Sequence, residues 1–144
     1  MLNLHKAIGN YCDIEEKVQL LDNNALQERF VMLWKALEDR FSDKPGVTFE
    51  LLNEVRDVDP EKWNILAGKT VNALRRKNTG RKLIIGSTCR NSPYTLNKLR
   101  VIDDENVIYT FHTYDPISFT HQRGVLQPGP LYYNREMPYP GDIE

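Results

Sequence analysis

The strongest constraint on the fold is an alternation of short apolar runs with segments of helical periodicity. The runs span residues 2–5, 47–54, 82–87 and 107–114, and each is typical of a buried strand. Strands separated by helices predict a parallel sheet joined by right-handed crossovers, as in an α/β protein. At 144 residues, the chain is long enough for one domain with a sizeable core and too short to argue for two.

Two helices are well signalled between the first three strands. The first is predicted to begin at Asn24 as the capping residue and to end at the turn 43–46. Its apolar stripe predicts that Trp34 belongs to the core and is not a ligand contact. The second begins with Asp59 as cap and Pro60 at the first helical position. The predicted stripes are Leu26, Phe30, Leu33, Trp34, Leu37 and Phe41, then Trp63, Leu66, Ala67, Val71 and Leu74.

Composition excludes several classes of partner. The 19 Lys and Arg residues are balanced by 20 Asp and Glu, so no basic surface for nucleic acid is predicted. No apolar stretch approaches the roughly 20 residues of a membrane-spanning helix. Cys12 and Cys89 match neither a disulfide framework nor a CxxC metal-binding pattern, which predicts two unpaired thiols in the core or in loops. Met1 leads directly into a strand without a signal peptide, and the sequence indicates no compartment.

The ends of the chain suggest a piece of a larger domain. A domain that opens within a strand is typical of a fragment, so residues 1–144 are interpreted as a single fragment. Residues 115–144 contain five prolines and three glycines, which predict an irregular loop or tail without helices.

Polar side chains follow the apolar runs at their carboxyl ends, where ligands bind in parallel α/β sheets. Four consecutive strands that carry such residues describe the rim of a (β/α) barrel. In a regular strand, His112 and Tyr114 point to the same side and address one ligand. The alternatives are a purely structural His112 and a Glu54 that is merely solvated; His121, in the tail without a partner, is interpreted as structural. The rim residues are His5, Asn53, Glu54, 87–91, His112 and Tyr114.

A carboxylic acid at a rim, with an amide beside it and a His and a Tyr across from it, suits glycoside hydrolysis. One carboxyl group protonates the leaving oxygen and a second carboxylate attacks the sugar or activates water. Glu50 is predicted to share a strand face with Glu54, but four residues place their backbones about 13 Å apart, beyond the roughly 5 to 9.5 Å that the chemistry requires. Asp115 precedes Pro116, where a role in a turn fits equally well.

These residues resemble a known family. The sequences Leu-His-Lys-Ala at 4–7, Phe-Glu-Leu-Leu-Asn-Glu at 49–54, Phe-His-Thr-Tyr at 111–114 and Phe-Thr-His-Gln at 119–122 are similar to glycoside hydrolase family five, the cellulase and β-glucanase group. The resemblance implies an eight-stranded (β/α) barrel. It also implies retaining, double-displacement hydrolysis of a β-linked oligo- or polysaccharide without metal or organic cofactor.

The resemblance also implies a role for each rim residue. Glu54 is the acid/base and Asn53 a donor to a substrate hydroxyl beside the scissile bond. His5 forms a wall of the glycone subsite. His112 and Tyr114 position the sugar and the nucleophile.

The departures from the family define the fragment. The four strands correspond to the third to sixth of the barrel, so the nucleophilic glutamate of the seventh strand and the stacking tryptophan of the eighth are missing. The expected fold is therefore a partial (β/α) barrel of about half the usual 250 residues. The expected function is that of a β-glucan hydrolase whose isolated chain lacks full activity. The alternatives are a non-catalytic carbohydrate-binding fragment, or a half-barrel that self-associates through its exposed strand edges, including a homodimer that closes a barrel.

Overall fold

A computed structural model describes residues 1–7 and 19–121. They form two units, 1–112 and the described part of the second unit, 113–121. In chain order the elements are β1 (Leu2–Asn3), α1 (Asn24–Arg40), β2 (Phe49–Glu50), α2 (Pro60–Arg75), β3 (Leu83–Gly86), α3 (Thr88–Asn91), a 3-10 helix (Pro93–Lys98), β4 (Val107–Thr110) and α4 (Ile117–Thr120).

The four strands form one parallel sheet in the order β1-β2-β3-β4. One row of the register runs from Leu2 to Phe49, to Leu83 and to Val107. Parallel strands that follow one another in both chain order and sheet order are the arrangement of a (β/α) barrel. The predicted parallel α/β sheet and partial barrel are confirmed.

The two long helices are fixed to the sheet by buried tryptophans. Trp34 of α1 packs on Phe49 with 5.1 Å between ring centroids, and its indole N–H donates to the carbonyl of Leu51 at 3.2 Å. Trp63 of α2 donates to the carbonyl of Gly86, at the end of β3, at 2.9 Å. Both indoles are fully buried, so each needs such an acceptor. The prediction that Trp34 is a core residue is confirmed.

The helix caps agree with the sequence in one case and differ by one residue in the other. Asp59 caps α2 and Pro60 occupies its first turn, as predicted. In α1 the capping residue is Asn23 and not Asn24, because the Asn23 side-chain oxygen accepts two backbone N–H groups of the first turn. The predicted stripe of α1 is also too wide, since Leu33 is 41% exposed.

β2 is shorter than predicted because the chain bulges after Glu50. The N–H of Leu4 donates to the carbonyl of Glu50 at 3.2 Å. In a regular parallel ladder, the N–H that donates to the Leu4 carbonyl would be that of Leu52, two residues after Glu50. Here the donor is Asn53, at 3.0 Å, so the chain contains one additional residue between the end of β2 and Asn53.

The bulge breaks the alternation of side chains along the strand. Because Asn53 takes the ladder position of Leu52, the side chains after the bulge change face relative to those of a regular strand. The following Glu54 has φ of 46°, in the left-handed region. The prediction that Glu50 and Glu54 share a face of a regular strand is therefore wrong, since strand periodicity ends between them.

Arg81 lies just before the first residue of β3, and its guanidinium joins α1, the α1–β2 loop and the sheet. Arg81 is fully buried and donates to the Glu38 carboxylate at 2.7 and 3.1 Å. It also lies over the Phe49 ring, 4.7 Å from the centroid. Its remaining N–H groups donate to three backbone carbonyls at 2.6 to 2.7 Å, those of Phe41, Lys44 and Val47.

A second ion pair makes stability depend on pH. Arg75 donates to both oxygens of Asp104, at 2.5 and 3.2 Å, and both side chains are largely buried. The hydrogen bond from Arg75 lowers the pKa of Asp104 from its ordinary value of 3.8. A lowered pKa contributes stability above the unfolded pKa, and that contribution is lost as pH falls through the folded pKa. We expect the free energy of unfolding in urea to fall below about pH 4, and to fall less in Asp104→Asn than in a control, Asp103→Asn, at an exposed site.

The described part of the second unit contains a single helical turn. α4 spans Ile117–Thr120, where the sequence predicts only irregular structure. The N–H groups of Phe119 and Thr120 donate to the carbonyl of Pro116 at 3.0 and 3.2 Å. Proline starts the turn here and does not break it, because its missing N–H is not needed at that position. The rest of the predicted tail, 122–144, lies outside the described residues, as does Cys12; Cys89 is an exposed, unpaired thiol as predicted.

Candidate active site

The structure brings Glu54 and His112 into contact. The His112 Nδ1 lies 3.0 Å from Glu54 Oε1. Glu54 follows β2 and His112 follows β4, so the two side chains meet across the carboxyl end of β3. The Glu54 side chain is 17% exposed and that of His112 29%, which leaves both accessible from solvent.

A left-handed turn after β3 connects the chain segments on either side. Cys89, Arg90 and Asn91 have φ of 57°, 59° and 58°. Non-glycine residues rarely adopt this conformation, and three in a row are unusual. The turn lies in the polar loop predicted after the third strand. Because of these positive φ angles, the short α3 is not a regular right-handed helix.

The turn makes hydrogen bonds on both sides. The N–H of Arg90 donates to the Val55 carbonyl at 2.7 Å, and the N–H of Cys89 to the Arg56 carbonyl at 3.3 Å. On the other side, the N–H of His112 donates to the carbonyl of Asn91 at 2.8 Å. The segment directly after Glu54 and the backbone of His112 are thus held by the same few residues.

The predicted shared strand face of His112 and Tyr114 is wrong. β4 ends at Thr110, and His112 donates its N–H to Asn91, outside the sheet. Tyr114 belongs to the second unit. There its half-exposed ring packs on His121, with 5.2 Å between centroids, and the His121 Nδ1 lies 2.9 Å from Thr120 Oγ1. The prediction that His121 has no partner is therefore also wrong.

Asn53 and His5 lie at the ends of neighbouring strands. The N–H of Asn53 donates to the carbonyl of Leu4, the residue before His5. Asn53 is 7% exposed, whereas His5 is exposed. Both therefore occupy the carboxyl edge of the sheet that also carries Glu54, as the sequence predicts.

The family model for cellulase, glycosyl hydrolase family 5, matches residues 1–138. The chain belongs to glycoside hydrolase family five.

Individual relatives of this family-five chain are endoglucanases and a cellodextrinase. Endoglucanase C of Acetivibrio thermocellus is 38% identical over 146 residues, which cover 100% of this chain and 42% of that enzyme. Cellodextrinase A of Ruminococcus flavefaciens is 34% identical over 89% of this chain and 39% of its own length. The crystal structure of endoglucanase Cel5A from Thermotoga maritima superposes with a TM-score of 0.70 and 36% identity, over 77% of this chain and 37% of that one. The chain spans about two fifths of the length of these relatives.

Two further residues contribute to the geometry of this family-five site: Asn91, which the sequence placed among the rim residues 87–91 without a role of its own, and Gly86, which it did not single out. Asn91 is fully buried, and its carbonyl accepts the N–H of His112. Gly86 ends β3 against the Asn91 side chain: a Cβ at this position would lie 2.3 Å from both Asn91 amide heteroatoms. The available signal was a glycine at the end of an apolar strand, which often marks a close approach of another group.

Within 1–7 and 19–121, no three His, Cys, Asp or Glu side chains are grouped so that they would hold a metal ion. Over the same residues, no helix has the length and apolar character needed to cross a membrane.

Proposed function

We propose that this chain supplies the acid/base half of the active site of a retaining hydrolase of β-linked glucan, with Glu54 as the proton donor. The observation that carries the proposal is the contact between Glu54 and His112 at the carboxyl edge of the sheet. Membership of family five and identity to endoglucanases support it. Carboxyl ends of barrel strands are where catalytic residues are found in such folds.

In the proposed mechanism Glu54 acts twice. Its carboxylic acid protonates the glycosidic oxygen as the bond to the sugar breaks and a nucleophilic carboxylate takes the sugar. As a carboxylate, it then removes a proton from the water that hydrolyses the glycosyl intermediate. His112 orients the carboxyl group through its 3.0 Å contact with Oε1. Asn53 is proposed to donate to a substrate hydroxyl, His5 to form a subsite wall, and Tyr114 to position the sugar and the nucleophile.

The nucleophile is proposed to come from the part of the barrel that residues 1–144 do not span. Endoglucanase C is matched over 42% of its length, which leaves room for the second carboxylate elsewhere. Glu50 is a poor candidate, because it is 5% exposed and its Oε2 accepts a 2.5 Å hydrogen bond from the Asn3 amide. A carboxylate that is buried in this way is not accessible to a sugar carbon, whereas the Glu54 side chain is 17% exposed.

A self-associating half-barrel is the second candidate, because β1 and β4 form the edges of the described sheet. Ile108 on β4 and Phe111 directly after it are 44% and 51% exposed. Exposed apolar edge strands are sites where another chain adds to a sheet.

Binding of oligosaccharides to the purified chain tests both candidates. We expect cellotetraose to shift the backbone NMR signals of Asn53, Glu54 and His112, and the α-linked maltotetraose, the matched control, to leave them unchanged. Equal shifts with both sugars, or none with cellotetraose, contradict the proposal. Signals of Ile108 and Phe111 that change with protein concentration and not with sugar favour the self-associating half-barrel.

A further inference from the structure

We propose that Asn91 is a positioning residue that sets His112 against Glu54, and that Gly86 is required because it leaves room for the Asn91 side chain. The catalytic meaning of this inference rests on the proposed role of Glu54. The geometry itself does not depend on that role.

The backbone of His112 is held by a hydrogen bond to Asn91. Beyond Thr110, His112 is no longer part of the sheet, and its N–H donates to the Asn91 carbonyl at 2.8 Å. The same turn is bonded to the segment after Glu54 through the N–H of Arg90, which donates to Val55 at 2.7 Å. Displacement of the Asn91 carbonyl therefore changes where His112 lies relative to Glu54.

Asn91 combines an unusual backbone conformation with a buried side chain. Its φ of 58° lies in the left-handed region, which asparagine tolerates better than most residues with a side chain. Its side chain is fully buried, and neither of its polar atoms has a hydrogen-bond partner among the described residues. A buried polar group without a hydrogen-bond partner lowers the free energy of unfolding. Strained or unsatisfied groups of this kind concentrate at functional sites, so the Asn91 conformation points to a role in placing His112.

The Asn91 side chain lies directly against Gly86. A Cβ at Gly86 would lie 2.3 Å from both heteroatoms of the Asn91 amide, far inside van der Waals contact. Gly86 is itself held in place, because its carbonyl accepts the indole N–H of the buried Trp63 at 2.9 Å. A side chain at position 86 therefore displaces the Asn91 amide. Because Asn91 is fully buried, we expect this displacement to move its backbone carbonyl, which holds His112, as well.

A pair of substitutions tests this relation in the whole chain, without substrate. Gly86→Ala should raise the hydrogen-exchange rate of the His112 amide by about tenfold or more, since its acceptor moves. It should also shift the ring ¹⁵N signals of His112, which report on its bond to Glu54. Adding Asn91→Gly should restore both readouts, because glycine retains the carbonyl, adopts positive φ freely and leaves space for the alanine.

Matched variants at position 91 keep the test decisive if Gly86→Ala does not fold. Asn91→Gly alone should leave the His112 signals unchanged, whereas Asn91→Ala, which disfavours positive φ, should shift them. Unchanged His112 ring signals in Gly86→Ala or in Asn91→Ala, even with lower stability, would overturn the inference, because a merely structural role predicts that result. None of these readouts needs hydrolysis, so a failure of Glu54 as proton donor would be seen separately.

Discussion

Replacement of Glu54 by glutamine is expected to lower β-glucan hydrolysis by about 10²- to 10⁴-fold, the usual contribution of a positioned general acid. The measurement uses a chimera in which residues 1–144 replace the matched 42% of Endoglucanase C, which supplies the remaining strands. Glutamine retains the size of Glu54 and a hydrogen-bonding oxygen for His112, but it cannot transfer a proton.

The control is Glu61→Gln in the same chimera. Glu61 lies on α2 and pairs with Arg100 at the surface, with both side chains about half exposed or more. We expect the turnover of this variant to equal that of the parent chimera. Equal rates for the Glu54 and Glu61 variants would show that Glu54 is not the proton donor.

Replacement of Arg81 by methionine is expected to have the largest effect on stability. Arg81→Met should lower the free energy of unfolding by about 3 to 5 kcal/mol, because it leaves the buried Glu38 carboxylate without its cation. Three backbone carbonyls also lose their donor, so the loop between α1 and β2 should open first. Urea unfolding followed by circular dichroism gives the difference.

The pKa of Glu38 gives a second test of the ion pair between Arg81 and Glu38. Burial alone raises this pKa, but the hydrogen bonds from Arg81 and Asn78 and the charge of Arg81 outweigh burial and lower it. The pair therefore stabilises the fold above the unfolded pKa of Glu38, and this contribution should be lost as pH falls through the folded pKa. Arg81→Met should remove that part of the pH dependence.

Arg100→Met is the matched control for Arg81→Met. Arg100 and Glu61 form an ion pair that is 65% and 47% exposed, and such pairs contribute about 0 to 1 kcal/mol. A similar loss of stability in Arg81→Met and Arg100→Met would contradict the assignment of Arg81 as the link between helix, loop and sheet.

The sequence predicted those features that depend on local periodicity and capping. The structure of α2 confirms the predicted cap at Asp59, Pro60 in the first turn and the buried stripe from Trp63 to Leu74. These features were predictable because neighbouring residues determine the cap, the first turn and the buried face of a helix. The parallel order of the strands followed from their alternation with helices.

The ends of the strands were not predictable in the same way. A run of apolar residues from Val47 to Leu52 does not reveal that the ladder gains one residue after Glu50, since the bulge depends on Leu4 of another strand. For the same reason, the sequence placed His112 within β4, whereas a carbonyl 21 residues earlier in the chain, that of Asn91, takes its N–H.

Predicted candidates at the rim were identified by residue type and position, but not the residues that support them. Glu54 and His112 are polar residues after apolar runs, and they are brought together across β3. Asn91 was predicted only as one of the rim residues 87–91, and Gly86 not at all. Their supporting role follows from the close contact between them, which joins the end of a strand to a left-handed turn.

The most direct test of Glu54 is the product that the Glu54→Gln chimera forms from 2,4-dinitrophenyl β-cellobioside in the presence of azide. Dinitrophenolate leaves without a proton, and azide attacks the glycosyl intermediate without a general base, so neither step needs Glu54. We expect azide to accelerate turnover and the product to be β-cellobiosyl azide. Turnover that azide does not accelerate, or an α-cellobiosyl azide product, would contradict Glu54 as the acid/base of a retaining mechanism.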